Sequence, residues 1–306
     1  MSLFYTDMFG EHSKIDTAIA RLKNFESYAL ELDPEDGYYV ADSGGKDSSV
    51  IKQLCVDAGV KFAVHNNHTT VDHPETVYFI RREKKRFEDM GIKYTIEYSR
   101  YKDGTRKTMW NLIERNGIPT MTRRFCCENL KEGGGIHKVV VTGVRWAESV
   151  KRRNRGVYEA ITANRDDSKK MMQDNEESRK MVEQCIKKTK TVVNPIIDWS
   201  DEEVWEYIRL KNVPYNPLYD MGYTRVGCVG CTMNVHRDEE LQKMPCYKRA
   251  YLRAWKKYLD AHPHLNGKWG MKTMDDWYDW WISGKRKNME ELTMFDEESG
   301  EENDED

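Results

Sequence analysis

A chain of 306 residues that is 39% hydrophobic and 33% charged, with a mean hydropathy of −0.84, can bury a substantial core but has no run near the ~18 apolar residues of a membrane span. Its start, Met1–Lys14, lacks the basic-then-apolar order of a secretory signal, so a cytoplasmic location with no membrane contact is expected. The net charge of −3 is uneven: Glu290–Asp306 carries ten acidic residues and no basic one, leaving 49 basic against 42 acidic elsewhere, about +7, a balance that suits an anionic ligand and admits nucleic acid.

In chain order, Ile15–Leu32 carries apolar residues at helical spacing, and Gly37–Ala41 reads as a short buried strand. The loop Asp42–Asp47 follows, then a helical pattern over Ser48–Ala58. A strand at Lys61–His65, a helix at Glu75–Met90 and strands at Lys93–Tyr98 and Lys138–Thr142 complete an alternation that predicts an α/β fold, a parallel sheet flanked by helices. Lys151–Lys190 is highly charged and shows no strand pattern, and Asp166–Lys188 within it reads as helix. After Asn194-Pro195 the chain becomes helical and rich in Trp and Tyr, with Trp255, Trp269, Trp277, Trp280 and Trp281 expected to pack between helices. The expected organisation is a helical segment at 1–32, a nucleotide-binding α/β domain at 33–198 with a charged helical insertion at about 151–190, a helical cysteine-containing region at 199–289, and a disordered acidic tail at 290–306.

Strand, then Ser43-Gly44-Gly45-Lys46-Asp47-Ser48, then helix is a phosphate-binding arrangement. The glycines let backbone N–H groups close on an anion, and the helix N-terminus adds donors and partial positive charge. Lys46 supplies a charge, Ser43 and Ser48 supply hydroxyls, and Asp47 suits Mg2+ or a water. The spacing is not that of a Walker A loop. Gly143-Val144-Arg145-Trp146-Ala147-Glu148-Ser149, with Arg152 and Arg153, follows a strand, at the edge where open sheets bind ligands. Arg145 and Arg152 are suited to phosphate or sulfate oxygens. His65 and His73 read as local hydrogen-bonding groups.

Seven cysteines are present, and without an export signal their clustering points to metal or catalysis rather than disulfides. Cys126-Cys127 and Cys228-Val229-Gly230-Cys231 are candidate metal ligands, and zinc and iron–sulfur both satisfy the spacing. Cys246 is an alternative fourth ligand in place of Cys126, or a buried structural residue. Cys55 and Cys185 read as packing residues.

The loop Ser43–Ser48 resembles the PP-loop of the ATP pyrophosphatase superfamily. Thr70–Thr76 with its Pro-Glu-Thr, the Gly143–Ser149 segment, Asn194–Ser200 followed by Glu203-Val204-Trp205, and Val213–Tyr219 narrow the resemblance to the phosphoadenosine-phosphosulfate (PAPS) and adenylyl-sulfate (APS) reductase family. The resemblance implies an adenine nucleotide α-hydrolase-like fold binding ATP, adenylyl-sulfate or PAPS. It implies a [4Fe–4S] cluster on Cys126, Cys127, Cys228 and Cys231. Nucleotide-binding residues carried over are Ser43, Gly44, Gly45, Lys46, Asp47, Ser48, Glu75, Gly143, Arg145, Glu148 and Arg152, with Lys46, Asp47 and Arg145 in catalytic roles. Reductases of the family carry a nucleophilic cysteine in a C-terminal Glu-Cys-Gly-Leu-His type segment, and this sequence has no cysteine after Cys246. The first expectation is therefore ATP-dependent activation, by adenylylation with pyrophosphate release, coupled to sulfur transfer. The alternatives are sulfite release from a sulfonucleotide with a thiol reductant, and a non-catalytic nucleotide or redox sensor.

Overall fold

The computed structural model describes residues 2–8, 10–131, 133–150, 152–161, 169–171, 190–265, 267 and 270–283. The chain forms two compact units, one of residues 1–108 and 127–228, the other of residues 109–126 and 229–306.

The first unit opens with a short antiparallel hairpin, β1 (Phe4–Asp7) and β2 (Gly10–Ser13), leading into α1 (Lys14–Leu32). Ser13 caps that helix, accepting from the Asp16 amide. Its buried stripe, Ile15, Ala18, Leu22, Phe25 and Ala29, has the spacing of one helix face. Two βα steps and a third strand follow: β3 (Tyr38–Ala41), α2 (Lys46–Ala58), β4 (Phe62–Asn67), α3 (Pro74–Asp89) and β5 (Tyr94–Glu97). The chain then returns to the other side of β3 as β6 (Val139–Val141), and β7 (Tyr158–Ile161), β8 (Lys169–Met171) and β9 (Lys190–Val193) complete a seven-stranded sheet of order β5-β4-β3-β6-β9-β7-β8. The run from β5 to β9 is parallel, whereas β7 and β8 pair antiparallel at one edge. One sheet face packs Tyr38, Val40, Val64, Val139 and Val141 against Phe25, Ile51 and Leu54 of the helices. The expected parallel sheet flanked by helices is the observed one.

Strands β7 and β8 correct the reading of 151–190 as a strand-free helical stretch. Its charges hid a short run, Val157, Tyr158, Glu159 and Ala160, that is buried throughout. Residues 162–168 and 172–189, with Cys185 and most of the expected helix, lie outside the described residues, as do Trp269 and the acidic tail. Helix α6 (Asp201–Leu210; numbering follows after α4, Met109–Asn116, and α5, Phe125–Leu130) ends this unit. It starts on a full capping box between Ser200 and Glu203.

The second unit packs α4 against α8 (Pro245–Ala261), with α7 (Arg237–Lys243) and α9 (Met274–Ser283). Trp255 and Trp281 meet edge-on at 5.1 Å between ring centroids, and Trp277 joins Tyr258 and Leu259 in a second buried cluster. These aromatics are core, as their helical spacing suggested.

Candidate nucleotide site and the cysteines

Strand order reverses between β3 and β6, because the chain leaves β3 toward β5 and comes back to β6 on the opposite side. In an open α/β sheet the carboxyl ends at such a reversal form the ligand crevice. The loops leaving these two strands carry Ser43–Ser48 and Gly143–Arg145.

The first loop is shaped by Asp42, a residue whose part in it the sequence did not announce. This buried carboxylate accepts four bonds: from the Gly44 amide and the Ser48 hydroxyl at 2.8 Å each on Oδ1, and from Lys52 Nζ and the Tyr94 hydroxyl at 2.6 Å each on Oδ2. Burial opposes its ionisation, but Lys52, Tyr94 and the Gly44 amide together outweigh it and hold the carboxyl below its ordinary range. Lys52 is itself fully buried, 3.0 Å from Glu83 Oε2, and lies 5.5–5.8 Å from the ring centroids of Phe79, Phe87 and Tyr94. Glu83 in turn accepts from Arg86 Nε at 2.8 Å. A lysine among Val50, Ile51 and Leu54 looks in sequence like a solvated position, which is why it passed unnoticed.

Gly44 takes a left-handed φ of +72°, and a Cβ there would meet Thr76 Cγ2 at 2.8 Å, so glycine is required. Helix α2 begins with Gly45 as its cap, a residue with no side chain of its own to cover the first donors. One of these, the Lys46 amide, donates to the Tyr219 hydroxyl at 3.0 Å. Asn216 Nδ2 donates to the Gly44 carbonyl at 3.1 Å and to Thr76 Oγ1 at 2.9 Å. Asn216 and Tyr219 thus clasp the loop; both belong to the segment Val213–Tyr219, whose contact with the loop periodicity could not reveal. The Ser48 hydroxyl is also 2.8 Å from the Gly45 carbonyl, so its single proton braces the loop from within.

At the crevice Arg145 Nε donates to Asp47 Oδ1 at 2.6 Å, Arg145 Nη2 to Asp201 Oδ1 at 3.0 Å, and Lys46 Nζ lies 3.0 Å from Asp201 Oδ1. Arg145 is 2% exposed and also donates to the Trp199 carbonyl. Gly143 explains the close approach: a Cβ would meet the Asp47 backbone at 3.0 Å. Partial burial works against Asp201, yet Lys46 and Arg145 hold its carboxyl below the ordinary range. Burial, then Arg225 and Arg155, push the Arg152 guanidinium down, with Asp47 opposing and Arg145 adding to the repulsion. Positive charge is therefore concentrated beside the loop. Lys46, Asp47 and Arg145 are brought together as expected, with Asp201 as an unforeseen fourth member. Glu148 pairs with Arg152, and Glu75 pairs with His73 at the start of α3. His65 bonds Glu97 at 2.7 Å and stacks on Tyr39, a local role as read.

Cys126 and Cys127 fall on α5 and are half-buried, as is Cys231, whereas Cys228 is buried. Cys127 and Cys228 belong to the first unit, Cys126 and Cys231 to the second. The Cys228 thiol donates to Thr69 Oγ1 at 3.4 Å. Gly230, between the paired cysteines, has a φ of +69°, and a Cβ there would meet Tyr251 at 3.0 Å; the turn is built around glycine. Among the described residues no three His, Cys, Asp or Glu side chains are grouped as a metal site, while the donor set, thiols on a tight Cys-x-x-Cys turn, fits a soft metal or cluster in kind. Cys55 is buried core, and Cys246 is exposed. This overturns a buried structural role for Cys246, which falls at the exposed first turn of α8.

Residues 37–234 match the phosphoadenosine phosphosulfate reductase domain. The chain belongs to the phosphoadenosine phosphosulfate reductase family. An adenosine 5'-phosphosulfate reductase of Bacillus cytotoxicus is 30% identical over 233 residues, covering 74% of this chain and 84% of that protein. An uncharacterized protein of Methanocaldococcus jannaschii is 32% identical over 196 residues, 62% of this chain but only 40% of its own length; this chain spans less than half of that relative. A crystal structure of phosphoadenylyl-sulfate reductase from Candida auris in complex with phosphate is 17% identical, with a TM-score of 0.42 over 76% of this chain and 100% of that one. The family match takes in the loop, Arg145, Cys126, Cys127, Cys228 and Cys231, and stops short of Cys246. No helix among the described residues is long and apolar enough to cross a membrane.

Proposed function

We propose that this family member binds ATP through Ser43–Ser48 and uses it to activate an acceptor by adenylylation, with sulfur transfer following. The observation that carries the reading is the lattice of Lys46, Arg145, Asp47 and Asp201 at the crevice. The α2 N-terminus and Lys46 suit the phosphates. Arg145, buried and fixed by three partners, is placed to stabilise charge that develops at the α-phosphate. Two carboxylates beside these cations suit Mg2+ carried by a polyphosphate, a need that thiol attack on a sulfonucleotide does not have. Gly143 keeps this approach close, and Glu75, Glu148 and Arg152 are the further nucleotide contacts proposed. In the reaction proposed, an acceptor oxygen attacks the α-phosphorus and pyrophosphate leaves; a sulfur nucleophile then displaces AMP.

Cys126, Cys127, Cys228 and Cys231 are the proposed ligands of a [4Fe–4S] cluster, with Cys246 the alternative to Cys126. Such a cluster supplies thiophilic iron for sulfur chemistry when bound.

The test is product analysis with ATP and Mg2+ in the presence of candidate acceptors. AMP and pyrophosphate in equal amounts support adenylylation; ADP with phosphate would overturn it. A second reading, sulfite release from adenylyl-sulfate with a dithiol reductant, is favoured by the name of the Bacillus relative. There the exposed Cys246 is the candidate nucleophile, and sulfite release that survives Cys246→Ser would remove it from that role.

A further inference from the structure

A second feature sits on the sheet edge that carries the phosphate loop. Strands β4 and β5 lie next to β3 in order, so the carboxyl end of β5 is two strand spacings, about 10 Å, from that of β3. Beyond β5 the chain folds into a small ribbon. Arg100 and Arg106 form an antiparallel bridge, closed by bonds from the Tyr101 amide to the Thr105 carbonyl and from the Lys107 amide to the Ser99 carbonyl, 2.8 Å each. Tyr98–Lys107 holds four basic residues and one acidic residue.

The ribbon presents an aromatic face along with its charge. The Arg106 guanidinium stacks 3.8 Å from the centroid of the Tyr98 ring, and Tyr98, 39% exposed, meets His68 at 5.2 Å. Helix α3 presents exposed Arg81, Arg82 and Lys85 to solvent. Burial is the first cause that lowers the His68 pKa, Asp72 opposes it, and Arg106 and Arg81 both add to the lowering. The charges of Arg106 and Arg81 thus both act on the imidazole that follows β4.

We infer that this ribbon-and-helix surface binds single-stranded nucleic acid, which makes that polymer the acceptor of the nucleotide site; the second half of the inference rests on the ATP-activating reading above. The cations match a phosphodiester backbone. The partly exposed Tyr98 ring, with the Arg106 guanidinium stacked on it, adds the aromatic and cation–π character that favours an unstacked base, which a duplex does not present. A surface that is merely solvated would need the charges but not the ring.

The test uses the full chain and fluorescently labelled single-stranded 20-mers, with the matching duplex and heparin as competitors, from 50 to 200 mM salt. Single strands should bind more tightly than the duplex. Tyr98→Ala should weaken them about 5- to 100-fold and leave heparin binding unchanged. Arg81→Ala and Arg82→Ala should each flatten the slope of log affinity against log salt by about 0.7. Retained ATP binding serves as the folding control for each variant. ATP binding without oligonucleotide binding, or an oligonucleotide affinity equal to that for heparin and indifferent to Tyr98→Ala, would overturn the inference and leave the nucleotide reading standing. Oligonucleotide binding without ATP binding would overturn the nucleotide reading and keep the surface.

Discussion

The phosphate loop and the cysteines differ in how their surroundings support them. Every residue that shapes the loop, from Asp42 and Lys52 beneath to Asn216 and Tyr219 on top, belongs to the first unit, and the loop's conformation is held by buried hydrogen bonds. The four cysteines are apportioned two to each unit, and the described residues group no three metal-ligating side chains. A site bonded throughout to its own scaffold is pre-formed, whereas a metal site takes part of its order from the metal it binds. The loop should accordingly tolerate loss of iron.

The largest effect expected from this contrast is on metal content. Cys228→Ser or Cys231→Ser should abolish bound iron and sulfide in anaerobically purified protein while nucleotide affinity changes less than about threefold. Full iron content in both variants would remove these cysteines as ligands, and parallel loss of nucleotide binding would show that the two regions are not independent. Next in size is Lys52→Met. It leaves Asp42 and Glu83 buried beside an apolar side chain, and breaking a buried pair in this way costs about 3–5 kcal/mol, read as a lowered denaturant midpoint. Loss of both midpoint and nucleotide affinity, with iron retained, would place the loop's support where the geometry puts it. Asn216→Ala should cost less, about 1–3 kcal/mol for the Gly44 carbonyl and Thr76 hydroxyl it leaves without its amide. Because Asn216 acts on the loop backbone, its nucleotide affinity should fall by a similar factor.

Much of this was legible in the sequence, and the exceptions share a cause. The strands β3 to β6 and their helices followed from hydrophobic period and length, and Lys46, Asp47 and Arg145 followed from a glycine loop and a post-strand arginine. Asp42, Lys52 and Asp201 did not. Their roles come largely from partners distant in sequence, such as Tyr94 for Asp42, Glu83 for Lys52 and Lys46 for Asp201, and a charge buried with a counter-charge has the same local sequence as one facing water. Strand β7 was missed because Glu159, which is buried and accepts from Arg155 and the Gly156 amide, interrupts an otherwise apolar run. The hairpin β1–β2 was missed because its strands are largely exposed, so no period marks them.

The smallest expected effect separates the two layers of charge within the loop region. Both Asp42 and Asp201 titrate below their ordinary 3.8, so each contributes stability that is present above that value and is lost as pH falls through its folded pKa. Asp42 is enclosed, while the Asp201 side chain is 55% exposed, so solvent and salt screen its pairs with Lys46 and Arg145. Asp201→Asn should therefore lower stability by no more than about 1 kcal/mol at pH 7. That difference should shrink in molar salt and be lost as pH falls from 3.8 through the lower folded pKa. Asp42→Asn, measured in the same series, should show a larger deficit at pH 7 that salt does not erase. If the Asp201 deficit equals that of Asp42 and resists salt, the lattice at the crevice is as much a part of the scaffold as the buried layer beneath it, and the cations there are not available to exchange Asp201 for a phosphate.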